Sequence, residues 1–356
     1  MVVLPLSQHQ IDGAKQSYTT RHVNKQACAA LLSGDGIPRI GDLVLARVSD
    51  ISQHKRIELS NGRRSLLFPG DEVILCYGNR YAPDQFEAEI PLDLSPCQLV
   101  AAGGIAGRVI SQHASMDPAT SLDIVGLLLN HQLRPINLRD WALSVPQPLS
   151  SSSSRPVTLA VLGSSMNAGK TTTVAHLVHS LSQAGYRVGS AKVTGTGAGG
   201  DIWKMWDAGA KIALDFTDAG YPSTYKVPAV EIEGILSSLM AQLAAADVDV
   251  IVLEVADGLY QAETAAIVTS DLFRSLVDGI LFAAGGSLGA VAGVQWLLRH
   301  NLSILGISGL VTASPLAARE TAIATGLPVF DLEALHHEAP GMVARLIQAP
   351  KVGSLV

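Results

Sequence analysis

The chain has 356 residues and a formal net charge of −6; 48% of its residues are hydrophobic but only 5% aromatic. That length allows two domains with cores of their own, and an acidic balance without any run of Lys and Arg argues against nucleic acid held on a basic surface. Cys28, Cys76 and Cys97 are widely spaced, with no CxxC or Cys/His ligand spacing, which predicts a reduced, cytoplasmic chain without a disulfide framework or a structural zinc.

The opening MVVLPLSQHQ lacks the basic start and apolar run of a signal peptide. Residues 1–37 are polar and mixed, with one short helix expected over 21–32. From Gly41 onward, GDLVLARV, KRIEL, RRSLLF and GDEVILCYG are short runs of β-formers separated by Asn-Gly, Pro-Gly and Gly-Asn turns, and QLVAAGG, GRVISQH and LDIVGLLLN continue the pattern. Such spacing predicts a small antiparallel sheet or barrel over residues 1–145. Within it, the loop 77–86 (YGNRYAPDQF) reads as a binding loop or as a hairpin connection, AAGGIAG at 101–107 as close strand packing or a bulge, and His54 and His113 as surface or hydrogen-bonded histidines. Residues 146–156, PQPLSSSSSRP, have the composition of an exposed linker.

The second part, 157–356, opens on the most informative stretch of the chain, VTLAVLGSSMNAGKTTTVA. An apolar run ends at Gly163; Ser164, Ser165, Met166, Asn167 and Ala168 form a small, polar loop; Gly169, Lys170 and Thr171 close it, and Thr172 enters a helical pattern. Strand, Gly-bounded loop, Lys-Thr and helix is the arrangement that wraps backbone N–H groups around phosphates. Lys170 then reaches the outer phosphates and the Thr171 hydroxyl sits on Mg²⁺, so ATP and Mg²⁺ are the expected cofactors. Five residues separate Gly163 from Gly169 where the strict motif has four, and Ser164 stands at the usual Gly.

Next in the chain, the apolar stretch 188–193 predicts a strand with Lys192 at its C-terminal end, where ligands collect in open parallel sheets. A Gly-rich loop, 195–200, leads to Asp201, a metal or substrate group or a helix N-cap, and then to a helix with Trp203 and Trp206. VEIEGILSSLMAQLAAA reads as a helix feeding DVDVIVLEVADG, a buried strand closed by Glu254 with Asp257 and Gly258 after it. P-loop enzymes hold a Mg²⁺ ligand or a water-positioning group at such a position. DGILFAAG, SILGISGLVT and LPVFD read as strands, and the segment ending at Arg299 and PLAARETAIATG as helices. Residues 279–298 are uncharged over the length of a membrane span, but five glycines and a Gly-Gly-Ser interruption predict a strand, a turn and a helix, hence no membrane association. The alternation of β and α predicts an α/β fold, a mostly parallel sheet with helices on both faces.

GSSMNAGKTT, AKVTGTG and VLEVADG, in that order, resemble the dethiobiotin synthetase branch of P-loop proteins over residues 157–331. That family has the same five-residue interval in its loop, a Lys followed four residues later by Ser or Thr and then Gly (Lys192, Thr196 and Gly197), and a strand-ending Glu before a small-residue turn (Glu254). The resemblance implies Lys170 and Lys192 on the γ-phosphate, Thr171 and Glu254 on Mg²⁺, a second metal carboxylate from Asp201 (or Asp215 or Asp218), and a homodimer. Met166 and Asn167 stand where the family has Thr-Glu, so its diamine-carboxylating chemistry does not carry over.

These readings converge on an ATP- and Mg²⁺-dependent ligase or kinase activating a small-molecule acid, carbamate or hydroxyl, with Lys170, Lys192 and Glu254 catalytic and Thr196, Gly197, Asp257 and Tyr225 facing the substrate. The alternative is a nucleotide-driven switch or a metal- or cofactor-delivery ATPase whose N-terminal domain binds a partner. Against it, Ser165 stands where the switch subgroup has its signature Lys, residues 157–356 contain no NKxD, and His336-His337, the one histidine cluster, reads as a helical surface pair.

Overall fold

The computed structural model describes residues 2–144 and 155–348; most of the Ser/Pro stretch 146–156 lies outside the described residues. The chain divides into two compact units. The first takes the described residues up to Ser144 together with Gly195–Gly200 and Phe216–Lys226, and the second takes the remainder.

The first unit contains strands β1 (Val2–Pro5), β2 (Lys15–Gln16), β3 (Ala30–Ser33), β4 (Leu43–Asp50), β5 (Arg56–Glu58), β6 (Arg64–Leu66), β7 (Glu72–Tyr77), β8 (Arg80–Tyr81), β9 (Phe86–Glu89), β10 (Cys97–Ala101), β11 (Ile105–Gln112) and β12 (Thr120–Leu129), and helix α1 (Gln8–Gly13). Five of these strands close on themselves: β12 pairs with β4, β4 with β7, β7 with β11, β11 with β10, and β10 with β12. Only the β7–β11 pairing in this ring is parallel. Strand alternation divides the core. Val44, Ala46, Val73, Leu75, Leu99 and Leu122 fill one cluster, while Leu43, Leu45, Ile74 and Leu128 turn the other way and pack with Ile11 of α1.

Two later segments complete this unit. Thr196 and Ser223 form a β-bridge, Gly197 N donates to Pro222 O at 2.9 Å, and Gly195 N donates to Thr224 Oγ1 at 2.9 Å. Gly199 N donates to Glu58 Oε2 at 2.8 Å, and Asp218 accepts from Arg21 at 2.5 Å and pairs with His22 at 2.6 Å. A Cβ on Gly103 would come within 2.0 Å of Gly197 O, so only glycine permits this approach.

The second unit is a six-stranded sheet of β13 (Val157–Gly163), β14 (Val188–Lys192), β15 (Ile212–Asp215), β16 (Val250–Glu254), β17 (Gly279–Ala283) and β18 (Ile304–Ser308), in the order β15-β14-β16-β13-β17-β18. Every pairing is parallel. Its helices are α2 (Lys170–Gln183), α3 (Gly200–Asp207), α4 (Ala229–Ala245), α5 (Ala262–Val268), α6 (Asp271–Leu276), α7 (Ser287–Arg299), α8 (Pro315–Thr325) and α9 (Leu332–Gln348). One sheet face, with Leu159, Val161, Val252 and Leu281, packs against Val174 and Leu177 of α2 and Leu335 and Val343 of α9. On the opposite face Phe282 meets α7 at Gly293 and Gly189 meets Leu243 of α4. Among the described residues no helix is long and apolar enough to cross a membrane, and 279–298 is β17, a turn and α7.

Several expectations are corrected. Residues 21–32 are not a helix: a 3₁₀ turn at Lys25–Ala27, capped by Asn24, is followed by β3, whose backbone is committed to β1 and β12. LPVFD is not a strand, making only a bridge from Val329 to Ile307; Pro328 has no N–H to give a ladder. Of the two readings of His54 the hydrogen-bonded one holds: it is buried with a hydrogen bond to the Leu99 backbone, its Nδ1 has no partner, and burial pushes its pKa down to about 4. Residues 77–86 form the β8–β9 hairpin, and the glycines of 101–107 sit beside a register shift at the end of β10.

The α7–β17 contact leaves no room for a side chain, since a Cβ on Gly293 would lie 2.1 Å from Phe282 Cζ. Gly293→Ala is expected to lower stability by about 1–3 kcal/mol through overpacking. An unchanged midpoint in urea unfolding would show that the contact relaxes without cost.

Candidate nucleotide site

β13 is buried throughout and lies between β16 and β17, with Val161 opposite Glu254 and Gly163 opposite Ala283. The chain then turns through Asn167 (φ 60°) and Gly169 (φ 102°), both left-handed, and enters α2 at Lys170 with no side-chain N-cap. The first-turn N–H groups of α2 therefore face the loop, ready for an anion. Lys170 folds back across the loop, its Nζ donating to Ser165 O at 2.8 Å and to Asp257 O at 2.6 Å. A Cβ at Gly163 would sit 2.8 Å from the Lys170 side chain, which explains glycine there.

The loop is braced from three sides. Ser164 N donates to Ala283 O at 3.0 Å, and Ser164 Oγ accepts from Gly285 N at 3.3 Å. Ala168 O accepts from Leu310 N at 3.0 Å, and Gly309 (φ 92°) lies so close that a Cβ would be 2.3 Å from Ala168 O. Gly258 packs on the loop as well, its would-be Cβ 2.7 Å from Ser164 O. Thr194 Oγ1 and Thr264 Oγ1 both donate to Ala256 O, holding the turn after β16 in place.

Below the loop, one hydroxyl faces two carboxylates: Thr171 Oγ1 lies 3.2 Å from Asp201 Oδ1 and 3.1 Å from Glu254 Oε1. Asp201 is also ion-paired to Lys192 at the end of β14. Lys170, Lys192 and Glu254 are 6%, 9% and 1% exposed, so these charges meet away from water. A hydroxyl has one proton to give, so Thr171 cannot satisfy both carboxylates when both are ionised. Burial, and then the neighbouring Asp201, push the Glu254 pKa up to about 6, while Lys192, Lys170 and the Thr171 contact pull the other way. Burial lowers the Lys170 pKa despite Glu254 and Asp257. For Lys192 the carboxylates of Asp201, Glu254 and Asp257 outweigh burial, and its pKa is raised. Burial opposes ionisation of Asp201, but Lys192 overcomes it and holds that carboxyl below its ordinary range.

The donor set fits Mg²⁺. Glu254 Oε2 is buried and has no hydrogen-bond partner, and the surrounding atoms are hard oxygens from Thr171, Asp201 and Glu254. Among the described residues no group of three or more His, Cys, Asp or Glu forms an all-protein metal cage. That agrees with an ion bound by one or two carboxylates, phosphate and water.

Of the residues singled out from the sequence, Gly163, Ser164, Ser165, Asn167, Ala168, Gly169, Lys170, Thr171 and Thr172 form the loop and first helical turn, and Lys192, Asp201 and Glu254 gather below it. Asp257 joins through its carbonyl. Asp215 ends β15 opposite Lys192 in register and is buried. Thr196, Gly197, Tyr225 and Asp218 belong to the first unit, where Asp218 is engaged by Arg21 and His22. His336 and His337 lie on α9, ring to ring. Gly258, Gly285 and Gly309 are the loop contacts that sequence reasoning missed; glycines directly after strand ends are the signal they offered.

Strand, Gly-bounded loop, uncapped helix and adjacent acid-ended strand give the parallel α/β fold the arrangement of elements expected of a P-loop. No family profile and no curated protein matches the chain. Among solved structures, it is similar to the Signal Recognition Particle 54 kDa protein from Aeropyrum pernix K1 in complex with GDP, with a TM-score of 0.37, 16% identity, and coverage of 56% of this chain and 50% of that one. It is also similar to the signal recognition particle receptor FtsY from Elizabethkingia anophelis (TM-score 0.35, 16% identity, 53% and 67% covered) and to chloroplast FtsY from Physcomitrella patens (0.34, 16%, 57% and 70%). The chain thus spans half the length of the first of these. Superposition this loose decides nothing about ligand or activity, and the narrower resemblance to the dethiobiotin synthetase branch is carried by its motifs alone.

The Glu254 environment sets a pH dependence. Its pKa is raised from about 4.5 to about 6, so its contribution favours the metal-free fold fully below pH 4.5 and is lost as pH rises through 6. Mg²⁺ must displace that proton, so Mg²⁺ affinity should fall as pH drops below about 6. Calorimetric titration at pH 5 and pH 8 checks this, and Glu254→Gln should weaken binding and remove the pH step; a wild-type affinity independent of pH would contradict the assignment.

Proposed function

We propose that the chain is a Mg²⁺-dependent nucleoside triphosphatase working as a nucleotide-driven switch for its own mainly-β unit. One observation carries this reading: Lys192 and Asp201, paired with each other beside Thr171, stand at the two ends of the segment that contributes Gly195–Gly200 to the first unit. A change in that ion pair is felt at both ends of a segment clasped by Glu58, Pro222 and Thr224. Residues 163–172 would hold the triphosphate, and Thr171, Asp201 and Glu254 would hold Mg²⁺, which when bound would supply neutralisation of phosphate charge. Lys170 leaves two backbone carbonyls for the phosphates. Lys192, paired with Asp201 in the structure, would turn to the γ-phosphate, and Glu254 would serve as a Mg²⁺ ligand.

A second reading is phosphoryl transfer to a small acid, carbamate or hydroxyl in the manner of dethiobiotin synthetase. The presence of two buried lysines at one phosphate loop favours it, because phosphoryl transfer needs charge neutralisation more than covalent chemistry. ³¹P NMR of ATP or GTP incubated with the protein and a metabolite pool separates the two: free phosphate alone supports the switch, and a phosphorylated metabolite supports the transferase.

Under either reading Lys170→Ala and Lys192→Ala should each reduce turnover by roughly 100-fold or more, and full activity in either variant would refute the proposed site. The switch reading adds that amide exchange in 195–200 differs between the diphosphate-bound and non-hydrolysable triphosphate-bound protein. That difference should be absent in Lys192→Ala.

A further inference from the structure

A cavity of about 300 Å³ lies within the first unit, between the β8–β9 hairpin, the end of β11 and Tyr225. Its volume is at the lower end of the range for small-molecule sites, about 300–1,000 Å³. Two aromatic rings line it: Tyr81 and Tyr225 sit with centroids 5.5 Å apart, tilted by 49°. Glu87, the carboxylate in the lining, is held from both sides. Tyr225 Oη donates to its Oε1 at 3.0 Å, and Ser111 Oγ donates to its Oε2 at 3.0 Å. Both partners are neutral hydroxyls, so they orient the carboxylate without cancelling its charge. Gln112 and His113 also line the cavity, with no Lys or Arg. The nearby Lys226 is paired with Glu89 and is also drawn by the charge of Glu87, and its ammonium lies 5.3 Å from the centre of the Tyr225 ring. An amine of the chain itself thus already uses this ring.

We propose that this cavity is a binding site for a small organic cation, a free amine or guanidine whose charge pairs with Glu87 and whose alkyl or onium surface lies against Tyr81 and Tyr225. A fixed carboxylate supplies the counter-charge, and tyrosine faces attract cations through their quadrupole. An anionic ligand would meet Glu87 with no Lys or Arg in the lining, the nearest ammonium, that of Lys226, being committed to Glu89. The site is independent of the nucleotide reading, since its lining residues all belong to the first unit.

The test is a titration of the full-length protein with cadaverine, agmatine and choline, alongside pentanoate and pentanol as anionic and neutral counterparts, followed by NMR shifts and tyrosine fluorescence. Saturable one-to-one binding of a cationic probe is expected. Glu87→Gln should weaken it about tenfold and Tyr81→Leu severalfold, with Glu87→Asp retaining part of the affinity and all variants melting as the parent does. Absence of saturation by every cationic probe at millimolar concentration, equal binding of pentanoate, or affinity unchanged in Glu87→Gln would each overturn the proposal. Should Glu87→Gln fail to fold, Tyr81→Leu alone decides: undiminished cation binding in that variant rejects the site.

Discussion

The pairing of β13 with β16 is the constraint on which the nucleotide site depends. Because the strands run parallel and Val161 faces Glu254 in register, the strand that delivers the loop and the strand that delivers the carboxylate end on the same side of the sheet. β14 joins on the far side of β16 with Lys192 opposite Glu254, so two strand ends present a cation and an anion next to each other. No single local motif could do this. Adjacent parallel strands turn separations of dozens of residues into neighbouring side chains, and their helices, returning on both faces, keep water from the charges.

The shortage of protons around Thr171 gives the site its polarity. One hydroxyl between two carboxylates, with a lysine committed to one of them, leaves Glu254 under-satisfied in a buried position. Buried unpaired oxygens are costly, and their cost falls when a cation or a proton arrives. Under the proposed function this corner is poised for a ligand rather than optimised without one, the kind of local conflict that functional sites carry. The backbone bracing of the loop by Gly258, Gly285 and Gly309 works in the other direction, making the phosphate-facing curve rigid while the charges below it stay unsettled.

Much of this architecture was legible in the sequence because period and punctuation carry it. The apolar run ending at Gly163, the Lys-Thr entering a helix, and the buried runs ending at Lys192 and Glu254 each announce a strand end, and a parallel α/β layout brings strand ends together. Most N-terminal strands from β4 onward were visible as short β-rich runs between turns, and closure of five strands satisfied the barrel alternative, whereas β1, β2 and β3 lay in a stretch that read as polar and mixed. What was not legible depends on distance or on competition. Gly309 approaches Ala168 across the fold, which no spacing encodes. Residues 21–32 have helical composition in part, yet β3 finds two strand partners. LPVFD has strand-like residues, but Pro328 removes a donor. Tyr225 was read as a substrate-facing residue, yet nothing in the sequence revealed that its hydroxyl meets Glu87.

The discontinuity of the first unit has a consequence for how this chain can be divided. Gly195–Gly200 and Phe216–Lys226 lie beyond the Ser/Pro stretch in sequence but are bonded into the β unit by Glu58, Arg21, His22 and Glu87. Severing the chain at 146–156 would therefore not release two self-sufficient modules. The N-terminal piece would lose a β-bridged pair of largely buried strips, including the Gly197 backbone that Gly103 packs against. The C-terminal piece would carry those strips without the β unit, with Asp218 cut off from Arg21 and His22. The two units are interleaved along the chain, so the seam at 146–156 is only one of the places where the chain passes from one to the other.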